Sequence, residues 1–355
     1  LFCYLVDCGF NASIINPIIT HSTKNGNIRK VKNDKIDSKG IAKLGLSKDI
    51  PVSQFPAKLV LELRSLTRKY YDLTDERSAH INKLKGDLHT VFPQYLDVFC
   101  DVTGKTSTMI LRQYGTPDKI LRGHKKTMIE KISKASRKGL AKASERYEKL
   151  CAAANAAKTF GCQIDSIYFN IFLTLDLVEK LDSALDSILN RIRQLITFNK
   201  NEKFIQQIKL LNTIPGVGFL TAVTIMCEIG DFSAFRNPKQ LFAYFGLDPE
   251  VNESGKFVGT QLHMSKRGSR IARRAIFAVA LASIRTKRNG EGINPYLRKY
   301  YELKSGQKPK MVAIGAVMHK VCNIVFAVLR DEKAFELRSP EEHCKQYQRP
   351  ALAAA

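Results

Sequence analysis

The sequence predicts an α+β chain that is mostly helical, and three observations carry that reading. Two long stretches repeat apolar residues at alternating spacings of three and four. Residues 1–46 read instead as a helix end, a short β-type run and a second helix. From 206 onward, shorter helical segments are punctuated by glycine and proline.

The chain opens on LFCYLVDCGF, a pattern that begins in mid-helix without an initiator methionine, so the N-terminal part of a domain is expected to be missing. ASIIN at 12–16 is a β-type run stopped by Pro17, and a helix is predicted over about 34–46. Together they place an α/β domain at 1–54.

The next region, 55–205, is helical. Over 57–92, Leu59, Leu63, Leu66, Tyr70 and Leu73 form a coiled-coil seam that meets Arg77 and His80 before Leu84 and Leu88 resume it. As one helix this run is roughly 54 Å long. Residues 100–165 are polar and basic, with KKTMIEKISKASRKGLAK at 125–142. A second seam follows at Ile171, Leu175, Val178, Leu185, Leu189, Ile192 and Ile196. Two such helices predict an antiparallel arm or a pairing between subunits, with an ordinary bundle as the plainer alternative. A third domain is expected at 206–335, and 336–355, ending PALAAA, reads as a disordered tail.

The chain carries 57 Lys and Arg against 33 Asp and Glu, a formal charge of +24. Self-repulsion of that size weakens a compact fold, so it points to a polyanionic partner. The longest uncharged apolar runs, near 275–284 and 321–329, are too short to span a bilayer, so no membrane partner is expected. Eight cysteines are scattered without a CxxC pair, which fits neither a zinc module nor a disulfide framework and suits reduced thiols in the cytoplasm.

Three motifs bear on chemistry. LLNTIPGVGFLTAVTIMCEIG, from Leu210, reads as a helix-hairpin-helix: Gly216 and Gly218 permit a sharp turn, and N–H groups at the second helix's start can meet a phosphate. A plain helical hairpin would look the same. Second, residues 254–310 hold fourteen Lys and Arg against two Glu, a net +12, or half the excess charge. Lys256, Lys266, Arg267, Arg270, Arg273 and Arg274 are the candidates there for contact with a phosphate backbone. Within this stretch, Ser254 in an ESG turn is a candidate nucleophile without a local base, or simply a turn residue. Ser265 in MSKRG competes with it, or caps the helix that starts near Ser269. Third, Asp34 and Asp37 stand at i and i+3 on one helix face. Hard carboxylate oxygens there suit Mg²⁺ or Mn²⁺, although the same residues also oppose the helix dipole.

Taken in order, VDCGFNASIINP, VKNDKIDSKGIA, a long helical insert, LLNTIPGVG, FSAFRNPKQLFAYFGLDPEVNESGK, MSKRGSR and NPYLRKYYE resemble the insertion-sequence transposases of the IS-one-ten/Piv class over about residues 1–335. The resemblance implies a RuvC-like (RNase H-type) domain with a DEDD carboxylate set, a coiled-coil region and a C-terminal transposase domain with an essential serine. Asp34 and Asp37 match the last two acidic positions of that set, and Ser254 matches the serine. The family's first Asp and its Glu have no counterpart here, so half of a Mg²⁺ site is expected to be absent. The implied activity is DNA recombination through a covalent phosphoserine, some members being guided by a bridge RNA. The implied partners are element-end and target DNA, a guide RNA and further copies of the chain, as a homodimer or homotetramer. The implied setting is the prokaryotic cytoplasm, at the nucleoid. A catalytically degenerate nucleic-acid-binding protein and a metal-dependent junction resolvase are the alternatives.

Overall fold

A computed structural model describes residues 4–5, 8–10, 34–46, 58–162, 164–199, 203–250, 253–254, 257–258 and 263–342, with only the backbone described at 34–37, 253–254 and 257–258. The β-type run expected at 12–16 lies outside these residues. Two compact units divide the chain, Leu1–Lys58 and Leu59–Ala355. In the first, α1 spans Asp34–Leu46, the bounds that the sequence pattern predicts.

In the second unit, α2 (Lys58–Val91) and α8 (Asp165–Phe198) are the two seam-bearing helices, each of 34 residues. They run antiparallel within one chain. Tyr168 donates from its hydroxyl to the Val91 carbonyl at 3.4 Å near one end. Arg77 pairs with Asp182 midway, and Leu59 and Leu63 share a core with Ile192 and Ile196 at the other end. The interruption at Arg77 is thus filled by a charge from the facing helix. The seam of α2 also differs from the pattern read in sequence: Thr67 and Tyr71 are buried, while Leu66 is only partly so. At this end α2 packs on a second neighbour as well as on α8, which widens its buried face.

At the far end of the arm sits a cluster of short helices: α3 (Tyr95–Val98), α4 (Lys105–Gln113), α5 (Pro117–Arg122), α6 (Lys125–Ser136) and α7 (Leu140–Phe160). Their apolar sides close on Leu84, Leu88, Ile171 and Leu175. Phe92, Tyr95 and Phe99 form a run of rings with centroids 5.1 and 4.9 Å apart. The Tyr95 hydroxyl lies 3.0 Å from both polar oxygens of Ser107, so burying this phenol leaves no unpaired group.

At the near end lies the C-terminal core, built from α9 (Lys203–Leu211), α10 (Phe219–Ile229), α11 (Pro238–Tyr244), α12 (Arg270–Ser283), α13 (Pro295–Ser305) and α14 (Lys310–Asp331). Side-chain caps start three of these: Asn237 accepts from the Gln240 N–H, Ser269 from Ala272 and Asn294 from Leu297. Two expectations need correction here. α14 is one continuous helix of 22 residues, long and apolar enough to cross a membrane by length and composition. Its apolar face, including Val317, Val321, Cys322 and Val325, is instead packed into this core. Residues 336–342, expected to belong to a disordered tail, are described: Ser339 and Glu342 exchange capping bonds at 2.8 and 3.1 Å, the reciprocal pattern of a capping box.

Candidate functional site

The hairpin between α9 and α10 forms as predicted, with α9 ending at Leu211 and α10 starting at Phe219. Its two glycines do different work. Gly216 has φ +96°, and a Cβ there would lie 2.6 Å from the Ser283 hydroxyl and 2.9 Å from the Ser283 backbone nitrogen. Only glycine suits both the left-handed backbone and that close approach. Ser283 also donates to the Pro215 carbonyl at 3.0 Å, tying the hairpin to the end of α12. Gly218 is in the extended region at φ −84° with open space beside it, so the sharp turn belongs to Gly216 alone. As N-cap of α10, Gly218 makes no side-chain cap bond, and no acid follows in the first turn.

Ser254 ends β1 (Glu253–Ser254), which pairs antiparallel with β2 (Phe257–Val258), Ser254 standing opposite Phe257. Lys256, between them in sequence, lies outside the described residues. The ribbon's stem is firmly tied. Pro249 and Met264 pair across it, Glu250 donates its N–H to the His263 carbonyl at 2.7 Å, and Ser265 donates its own to Asp248 at 2.8 Å. The Ser265 hydroxyl adds a bond to the Asp248 carboxylate at 2.6 Å. Ser265 therefore does not cap α12; Ser269 does. Beneath the stem, two backbones cross at Gly246 and Gly268. A Cβ on Gly268 would fall 2.0 Å from the Tyr244 carbonyl oxygen, and one on Gly246 2.5 Å from the Gly268 nitrogen.

The basic residues predicted to meet phosphate divide by environment. Lys266 and Arg267 are exposed beside the stem. Arg273 instead turns inward, donating to the Gly268 carbonyl at 2.7 Å and the Phe245 carbonyl at 3.2 Å, and burial pushes its guanidinium below the usual arginine value. It holds the crossing together. Arg270 and Arg274 both reach Asp75 on α2, at 3.4 and 2.7 Å, and Arg274 also lies over the Tyr71 ring at 4.8 Å. These contacts lock the base of the arm to α12.

A companion link joins α2 to α10. Glu228, 3% exposed, receives a two-pronged pair of bonds from Arg68 at 2.9 and 3.0 Å. Burial pushes the Glu228 carboxyl up, but hydrogen bonds from Arg68 and Ser269 outweigh it and hold the group below its ordinary value of 4.5. Sequence reasoning missed Glu228, Asp75 and Asp248, because each finds its partner far along the chain and no local spacing marks it.

Asp34 and Asp37 lie in the first turn of α1, in the other compact unit from Ser254. Their i, i+3 placement in that turn and the hardness of their oxygens fit a divalent cation, although two carboxylates make only half of a two-metal site. Among the described residues, no group of three or more His, Cys, Asp or Glu is placed to hold a metal.

Comparison with known proteins covers both ends of the chain. Residues 208–302 match the family described as "Transposase IS116/IS110/IS902 family", and residues 1–93 match the DEDD transposase family of IS110, described as "Transposase". The chain is 23% identical over 286 residues to a 43.6 kDa protein of insertion element IS110 from Streptomyces coelicolor, covering 80% of this chain and 66% of that protein. It is 30% identical over 177 residues to the pilin gene-inverting protein of Moraxella bovis, covering 50% of this chain and 52% of the relative. It is 26% identical over 188 residues to the transposase for insertion sequence element IS1111A of Coxiella burnetii, with coverages of 51% and 50%. The chain thus spans just under two thirds of the first relative and about half of the other two.

Proposed function

We propose, from the premise that this chain belongs to the IS116/IS110/IS902 transposase family, that it is a DNA recombinase whose nucleophile is Ser254. The observation that carries the reading is the placement of this serine at the end of a short ribbon whose stem is pinned by Asp248, Ser265 and Arg273. A nucleophile must approach its target in a fixed direction, and a pinned stem supports that better than a free loop. The Ser254 oxygen bonds to a DNA phosphorus, a sugar–oxygen bond to that phosphorus breaks, and the freed sugar oxygen takes a proton as the seryl proton leaves. Attack by a second sugar hydroxyl reverses the step and joins new strands without loss of bond energy.

Asp34 and Asp37 would hold magnesium or manganese, which when bound supplies positive charge at the reacting phosphate. The α10 N-terminus, capped by Gly218, together with Lys256, Lys266 and Arg267, would position the DNA backbone without reading sequence. Arg270, Arg273 and Arg274, committed to intramolecular partners, would act by holding the α12 region in place. Target choice would then rest on a guide RNA, with the site completed between copies of the chain in a dimer or tetramer, in the prokaryotic cytoplasm.

Ser254→Ala tests the reading on element-end DNA. We expect loss of the covalent protein–DNA adduct and of strand exchange, with DNA binding retained. Normal recombination by this variant would overturn the nucleophile assignment. Metal-dependent cutting that survives the substitution would favour the junction-resolvase alternative.

A further inference from the structure

The arm tip carries a second concentration of charge that the family reading leaves without a role. Residues 119–149 hold eleven Lys and Arg against three Glu, a net +8, and with the +12 of residues 254–310 they leave only +4 for the rest of the chain. The tip belongs to the separate core at the far end of the arm. The 25 residues from Leu63 to Leu88 put it roughly 40 Å from the C-terminal core.

The charge is arranged rather than scattered. Arg137, at φ 54°, and Gly139, at φ +79°, reverse the chain between α6 and α7. A cleft of about 160 Å³ opens beside that turn, lined by Ser136, Lys138, Lys142, Arg146 and Lys149, with Asp97 and Glu145 also on its wall. That is room for roughly five waters. Glu145 is engaged by Lys149 at 2.8 Å. Among the described residues, Lys134, Arg137, Lys138, Lys142 and Arg146 have no carboxylate within ion-pair distance, although Glu145 attracts Lys142 and Arg146 at longer range. Arg146 is half-buried, with its guanidinium 5.7 Å from the centre of the Phe99 ring, a contact that restrains it before any ligand arrives.

The cations at the end of α6 have a structural use, since they oppose the negative end of that helix dipole. Lys142, in the first turn of α7, has none. It adds positive charge where the dipole is already positive, the first turn holds no acid, Glu145 one turn on is hydrogen-bonded by Lys149, and the Gly139 N-cap makes no side-chain bond. That arrangement costs stability in the free protein and is relieved by an anion. We propose that the α6–α7 turn and its cleft form a second nucleic-acid contact, in which Lys138, Lys142 and Arg146 grip the phosphodiester backbone of DNA or folded RNA. The proposal rests on the reading of this chain as a nucleic-acid enzyme. It concerns a separate surface, and its failure can be told apart from failure of that reading.

The test uses the full chain with two exposed residues changed, Lys138→Gln and Lys142→Gln together, after circular dichroism has verified the fold. A 40-base-pair duplex DNA and a 40-nucleotide RNA stem-loop are each titrated between 50 and 300 mM salt. For whichever probe uses the tip, the slope of log affinity against log salt should fall by about 1.5–2, with roughly tenfold weaker binding at low salt. Two comparisons make the outcome decisive. Neutralising Lys69 on α2 and Lys180 on α8, both exposed on the arm between its two cores, removes the same charge and should change the slope by less than half as much. Neutralising Lys266 and Arg267 reports on the C-terminal surface. Unchanged binding of both probes by the tip variant, beside a weakened Lys266/Arg267 variant, would overturn the tip contact alone. An equal loss in the mid-arm variant would also overturn it, since diffuse charge would then suffice. Failure of the unmodified chain to bind either probe would overturn both readings.

Discussion

At its base the arm buries Leu59, Leu63, Ile192 and Ile196 in the C-terminal core, and buried Glu228 anchors it through Arg68. At its middle Leu73, Val178 and Leu185 are buried outside both cores, with Arg77 set against Asp182. Near the base, side chains from several other helices close over the pair and exclude water. Midway the flanking contacts are polar, Asp75 with Arg270 and Arg274 on one side and Glu179 with Arg112 on the other, and water reaches the Arg77–Asp182 ion pair, whose side chains are 28% and 46% exposed. The same coiled-coil spacing therefore yields a welded joint at one end and a weaker span between two cores. Cooperativity in such a structure is concentrated at the ends, and local opening should begin in the middle.

Four perturbations would break or sharpen this contrast. Leu63→Ala should cost about 2–5 kcal/mol in urea denaturation, because a fully buried leucine leaves a cavity that the surrounding helices fill only partly. Leu73→Ala should fall below that range, and equal costs would mean that the middle is as well packed as the base. Gly216→Ala should cost about 1–3 kcal/mol from the left-handed backbone, with the collision against Ser283 added to it. Gly218→Ala should cost only about 0.5 kcal/mol, as the exchange of one weak cap for a poorer one. Thermal melts of the pair would show whether the hairpin truly depends on one glycine.

Glu228→Gln should destabilise by about 1–2 kcal/mol at neutral pH. Its carboxyl is held below the ordinary value, so the stability it contributes is fully present above about pH 5 and is lost as pH falls through the folded-state value below 4.5. The gap between the unmodified protein and the variant should therefore close on acidification, and a gap constant down to pH 3 would contradict the assigned role. Arg77→Met with Asp182→Leu, as a double-mutant cycle, should give the smallest effect, a coupling of about 0.2–1 kcal/mol that shrinks with added salt.

Much of this architecture was legible in the sequence because it depends on local periodicity. The bounds expected for α1 and α2 match to within a residue, the existence of α8 follows from apolar spacing, and the hairpin follows from LLNTIPGVG. Residues 100–165 could be read only as polar and basic, since four helices, three of them short, share one core across the arm tip and leave no long repeat. Arg273 looked like a phosphate ligand because its neighbours in RIARR are charged, yet its partners are carbonyls brought in from residue 245 by a backbone crossing. Ser265 looked like a cap or a nucleophile, and its partner lies seventeen residues earlier. Asp34, Asp37 and Ser254 were singled out by residue type and family order, and their side chains lie outside the described residues.

The crossing at Gly246 and Gly268, with the bonds above it, has a consequence for how such proteins diversify. Once the two ends of a segment are clamped, lengthening what lies between them adds little entropic cost, about 0.6 kcal/mol for each doubling in length. The stretch between Pro249 and Met264 is clamped in this way. Insertions and deletions there should be far better tolerated than any change at the clamp, which has no room for even one methyl group. Variation in length can then accumulate on a fixed mount without re-evolving the fold that carries it.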